Sequence, residues 1–162
     1  MKLKNAMIGA ALLAVSCVAH SQTTVKHIQL EKPLIATGVW AGDTYYLSGQ
    51  LASPLPPAAD APKGAEPVYG DTKTQAASVF SKIQALLKEQ GLDMGDVVKM
   101  TVFMAPDPVT GKMDFAAMNS EYIKYFGTKE QPNKPARSAV QVAHLVAPWG
   151  LLEVEVIAVK GK

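Results

Sequence analysis

The sequence predicts a single α+β domain with the element order β-β-β-α-β-α-β-β. Three observations predict it. Strand-like runs, alternating or aromatic-rich, stand at both ends of the chain. Between them lie two stripes of helical period, each opened by an aspartate and closed by a glycine. The length of 162 residues, with 48% hydrophobic and 19% charged content, is that of one ordinary globular domain.

The first residues stand apart from that domain. Lys2 and Lys4 form a basic region, residues 6–18 an uncharged apolar segment, and Ala19-His20-Ser21 a small-x-small triplet. This is the layout of a secretory signal peptide, predicting cleavage after Ser21, a domain over residues 22–162 and a periplasmic location. Leu13-Ala14-Val15-Ser16-Cys17 loosely resembles a lipoprotein box, in which Cys17 would carry lipid. It is the weaker fit, because Ala14 stands where leucine is usual. No apolar stretch reaches the roughly 18–20 residues that a membrane span needs.

Residues 25–31 alternate apolar and polar as a half-buried strand does. A strand through residues 38–41 turns at Gly42-Asp43 into the aromatic-rich run Thr44–Ser48, which reads as a hairpin. Residues 53–70 hold five prolines and no periodic pattern, predicting a long extended loop, either a lid or a surface insertion. Asp71 is a good N-cap. Ala76, Val79, Phe80, Ile83, Leu86 and Leu87 then follow at helical spacing up to Gly91. Val97–Met104 reads as a buried strand. Asp114 caps a second helix whose stripe of Phe115, Met118, Tyr122, Tyr125 and Phe126 reads as core, with Gly127 as its stop. Strands over residues 137–145 and 151–159 close the chain, reversed through Pro148-Trp149-Gly150.

Removal of residues 1–21 takes two lysines and no acids, leaving 14 basic against 14 acidic residues. A neutral domain gives no electrostatic basis for binding nucleic acid. Cys17 is the only cysteine, so the mature chain would have neither disulfide nor thiol nucleophile. His27 and His144 lack metal-ligand spacing, and no phosphate loop, dinucleotide fingerprint or hydrolase elbow occurs.

Two features carry possible chemistry. The sixteen basic residues are fifteen lysines and one arginine, Arg137. Its planar fork matches a carboxylate bidentately as lysine cannot, and it opens a strand after a loop, where binding groups often sit. Composition alone leaves open that it is merely incidental. Glu153 and Glu155 alternate on the last strand, so both carboxylates face one side, roughly 6–7 Å apart. That face is either solvated, or covered so that a carboxylate there can orient or deprotonate water.

Several motifs together resemble the Rid (reactive intermediate deaminase, or YjgF) family. They are Tyr46-Leu47-Ser48-Gly49-Gln50, Thr74-Gln75, Gly95-Asp96-Val97-Val98-Lys99, and Thr101-Val102-Phe103. Phe115, Asn119, Tyr122 and Phe126 follow, then Pro135-Ala136-Arg137-Ser138 and the terminal run Glu153–Val159. The resemblance covers about residues 25–160 and implies a chorismate-mutase-like mixed sheet covered by two helices, assembled as a homotrimer with clefts between subunits. It also implies cofactor-free hydrolysis of 2-imino or enamine acids to 2-keto acids and ammonia. In that scheme Arg137 holds the substrate carboxylate, Ser48 and the Gly49 backbone border the reacting end, Glu153 positions water, and Asn119 lines the cleft. The partner is then a small imino or enamine acid, and no metal is involved. An RNA-cleaving activity reported for some relatives fits poorly with a neutral domain. Three departures stand out: Ile35 aligns with a tyrosine of the deaminase subgroup, Ala139 with a frequent cysteine, and the 53–70 loop is longer than usual. A non-catalytic site for small carboxylates or amines is the alternative that Ile35 favours.

Overall fold

The computed structural model describes residues 23–32 and 34–161; the export signal read over residues 1–21, with Cys17, lies outside them. The elements are β1 (Val25–Ile28), β2 (Gly38–Ala41), β3 (Thr44–Gln50), α1 (Thr72–Glu89), β4 (Val97–Met104), α2 (Phe115–Tyr122), β5 (Ala136–Gln141) and β6 (Leu152–Val159). A 3-10 turn at Met94–Asp96, closed by a reciprocal cap between Asp93 and Asp96, leads into β4. The order is the β-β-β-α-β-α-β-β of the sequence.

All six strands join one sheet in the order β1-β2-β3-β6-β4-β5. Every neighbouring pair is antiparallel except β4 and β5, which α2 connects as a crossover. The chain is thus a mixed-sheet α+β unit. Alternation decides its two faces. On β6, Leu152, Val154, Val156 and Ala158 are buried, while Glu153, Glu155 and Ile157 point the other way. On β4, Met100, Val102 and Met104 join the buried set. The buried face meets α1 through Ala76, Val79, Phe80, Ile83 and Leu87, all fully buried. Each such large side chain contributes roughly 1.5–3 kcal/mol. Phe80 of α1 also meets the Tyr122 ring of α2 edge-on at 6.1 Å, so both helices lie on one side of the sheet.

The capping signals hold. The Asp71 carboxylate accepts from Thr74 N at 2.8 Å, and Asp114 from Ala117 N at 2.9 Å. Gly91 takes the left-handed conformation, with φ +71, that ends α1. Three boundaries differ from expectation. The first strand ends at Ile28. The second helix stops at Tyr122, after which Lys124 and Tyr125 donate to carbonyls three residues back in tighter turns. Phe126 nonetheless stays buried. The strand opened at Ala136 ends at Gln141 rather than Leu145, because its partner β4 ends at Met104 and offers no further ladder.

The proline-rich stretch forms neither helix nor strand. Its neck is closed by Leu55 N donating to Val68 O at 2.7 Å. Just beyond, Tyr69 stacks face to face on Trp149, ring centroids 3.5 Å apart. The buried Gln75 side chain fixes the same region. It donates to Gly70 O and Trp149 O and accepts from Leu151 N, all within 3.1 Å. The loop is an anchored surface excursion.

Candidate active site

Arg137 is the second residue of β5 and pairs with Met100 of β4, which in turn pairs with Val156 of β6. Directly paired residues share a face, so Arg137 lies on the helix side of the sheet, beneath α2. There its Nη2 donates to Asn119 Oδ1 at 3.0 Å. Its guanidinium carbon sits 4.0 Å from the Tyr122 ring centroid and 5.5 Å from that of Phe115. Phe115, Asn119 and Tyr122 are spaced i, i+4, i+7, one face of α2. Burial pushes the Tyr122 phenol up, while the Arg137 charge opposes that shift. Arg137 Nη1 is buried without a hydrogen-bond partner among the described residues. A buried donor on a permanent cation is costly when unpaired, and a carboxylate is the group that its geometry suits.

The second group of residues lies on the opposite face. Glu153 pairs with Phe103, away from the helices. It lies against Gly49, where a Cβ would stand 2.8 Å from the Glu153 carboxyl carbon. The register of β3 against β6 shifts between Leu47 and Gln50, and this bulge brings the Gly49 backbone up to the carboxylate. Ser48 is committed locally: its Oγ donates to Ala36 O at 2.7 Å. It also walls a hollow of about 400 Å³ on the helix-free face, together with Tyr46, Lys99, Thr101, Glu155 and Ile157. Glu155 is exposed and pairs with Thr101, so it takes no part in the Gly49 contact. Ile35 is exposed and borders a smaller hollow on the other side of Ser48.

The structure therefore assembles two clusters from the sequence candidates. Arg137 joins Asn119, and Glu153 joins Gly49 beside Ser48. Within one chain the two do not meet, since they occupy opposite faces of the sheet. Phe115 corrects the sequence reading, which placed it in the core; Tyr122 is buried in the core as read, and its ring also faces the arginine. Phe115 is 40% exposed, and both rings serve the arginine. Ala139, two residues beyond Arg137, is a partly buried contact of the core. No group of three or more His, Cys, Asp and Glu side chains placed to hold a metal ion occurs among the described residues. No helix among those residues is long and apolar enough to cross a membrane.

The six-stranded mixed sheet with two helices on one face defines a YjgF-type α+β protein. The structure of Escherichia coli TdcF with bound serine matches at TM-score 0.63 and 31% identity, covering 84% of this chain and 99% of that one. The chain belongs to the Rid (YjgF) family, whose model, described as Endoribonuclease L-PSP, matches residues 25–160. A RutC family protein of Haemophilus influenzae is 38% identical over 138 residues, 82% of this chain and 95% of its own length. The Escherichia coli protein named "Putative reactive intermediate deaminase TdcF" is 36% identical over 123 residues, 76% of this chain and 84% of its own.

Proposed function

We propose that the protein hydrolyses 2-imino or enamine acids to 2-keto acids and ammonia, in clefts between the subunits of a homotrimer. The carrying observation is the unpaired, buried Nη1 of Arg137 beside Asn119. That donor has no partner among the described residues, and a substrate carboxylate would supply one. Glu153, pressed against the Gly49 backbone, supplies the group that holds the attacking water. Water adds to the imine carbon, a proton reaches the nitrogen, and the C–N bond breaks to release ammonia and the keto acid. Arg137 and Glu153 sit on opposite faces of one chain, so a complete site needs the Arg137 edge of one subunit against the Glu153 face of another. That requirement, together with the exposed Tyr46 and Val140 and the half-buried Phe103 and Ile157 on the helix-free face, supports assembly.

The basic, apolar and small-x-small layout of residues 1–21 supports export to the periplasm, with cleavage after Ser21. The test of function is ammonia and keto-acid release from freshly generated 2-imino acids, compared with the spontaneous rate. Acceleration lowered about tenfold or more by Arg137→Lys carries the reading. Carboxylate binding without acceleration would replace it with a non-catalytic site in the same clefts.

A further inference from the structure

One polar stripe of α1 remains outside the chemistry above. Ser78 and Lys82, with Gln90 at the C-cap, recur at multiples of four residues and meet Ser53, Leu51 and Trp40. Ser78 Oγ accepts from Ser53 N at 2.9 Å, and Gln90 Oε1 accepts from Trp40 Nε1 at 3.2 Å. Lys82 Nζ donates to Leu51 O at 2.7 Å. The two outer anchors are neutral; the inner one is a cation.

A neutral donor would satisfy the Leu51 carbonyl equally well. An ammonium held there is partly stripped of water, and burial accordingly pushes its pKa down. Among the described residues no carboxylate lies within ion-pair distance of it, and the carbonyl uses one of its three N–H groups. The remaining donors border a hollow of about 260 Å³ lined also by Ile35, Thr37, Gln50 and Leu86. Ser48 is a wall of this hollow and of the larger one on the helix-free face. The residue after Ser48 is Gly49, against which Glu153 is placed. The hollow thus shares its Ser48 wall with the hollow on the helix-free face, with apolar lining at Ile35 and Leu86 and the Lys82 cation at its side.

We infer that Lys82 is a specificity residue: the hollow receives the substrate's side chain, and the Lys82 ammonium pairs with a carboxylate at its end. This rests on the deaminase reading and narrows it to 2-imino dicarboxylic acids as the preferred class. Arg137 holds the carboxylate next to the imine carbon, and Lys82 holds the distal one.

The test compares 2-iminoglutarate with 2-iminopentanoate, which has the same carbon chain but no distal carboxylate, each generated in place by amino-acid oxidation. Wild type is expected to show the higher kcat/KM on the dicarboxylate. Lys82→Met should lower the ratio of the two kcat/KM values about tenfold, the order expected of one charge-assisted hydrogen bond partly in solvent. Lys82→Arg should restore much of that ratio. Equal losses on both substrates, or no preference in the wild type, would overturn the assignment and leave Lys82 as an anchor for Leu51. Should the wild type accelerate neither reaction, the deaminase reading fails, and calorimetry with the stable 2-oxoglutarate and 2-oxopentanoate decides the hollow separately. Tighter binding of the dicarboxylate, lost in Lys82→Met, keeps the assignment. Equal affinities refute it.

Discussion

Tyr122 supports Arg137 on its ring face, the guanidinium carbon 4.0 Å from the ring centroid while Asn119 holds one nitrogen from the side. The arginine is therefore oriented before any ligand arrives, and its unpaired Nη1 has a fixed direction. Arg137→Lys keeps the charge but loses the fork and the stacking. With charge-assisted hydrogen bonds contributing about 1.5–3 kcal/mol each, kcat/KM on a 2-imino acid should fall tenfold to a hundredfold or more. The melting temperature should move little. Wild-type turnover in a folded Arg137→Lys protein would remove the carboxylate clamp from the mechanism.

Gly49→Ala addresses the other cluster. A Cβ there would overlap the Glu153 carboxyl group, so the carboxylate must shift or the bulge must open. Activity should drop at least about tenfold, mainly in kcat, because it is the water-holding group that moves. Glu153→Gln should give a similar kcat loss with little change in KM. Steady-state kinetics on both variants check this, and a Gly49→Ala enzyme that differs only in KM would contradict it.

Complementation tests whether the two clusters belong to different chains. Arg137→Ala and Glu153→Gln proteins should each be nearly inactive. Mixed by co-refolding in equal amounts, they should regain about a quarter of the wild-type activity, since random assembly pairs two intact halves in about one cleft in four. No recovery in confirmed mixed trimers would mean that both groups act from one chain.

The order of elements was legible because it is written in local periodicity. Asp71, Gly91 and Asp114 mark helix ends by their own backbone chemistry, and β6 alternates residue by residue. Strand order was not legible from the residues, since nothing local to β6 states that it inserts between β3 and β4. The end of β5 is likewise set by where β4 stops, a non-local fact. For the site, Arg137 stood out by its rarity among lysines. Phe115 and Tyr122 did not, because an aromatic that stacks on a guanidinium has the same helical spacing as one that packs in a core. Lys82 was hidden for a related reason: its neighbours Leu51 and Ser48 approach only through the fold.

Gln75→Leu should be the most damaging of these substitutions to stability. It strands the Gly70 and Trp149 carbonyls and the Leu151 amide, all served by one buried amide side chain. A loss of about 2–4 kcal/mol is expected. Calorimetry should show a melting temperature lower by roughly 10 °C. A shift within a degree or two would mean that water replaces the amide.

Export has a direct signature. The protein recovered from the periplasm should begin at Gln22, which intact mass spectrometry reads from the loss of residues 1–21. A diacylated N-terminus at Cys17 would assign the chain to the membrane surface instead.

The closed neck of the proline-rich loop has a consequence for engineering. With Leu55 bonded to Val68 and Tyr69 stacked on Trp149, the two ends of the excursion are held by the domain and not by the residues between them. Chain length beyond such a closure costs stability only logarithmically. Residues 57–66, nearly all exposed, therefore form a cassette: a tag, an epitope or a short binding peptide spliced in there would be carried once per chain, with the register of every strand unchanged.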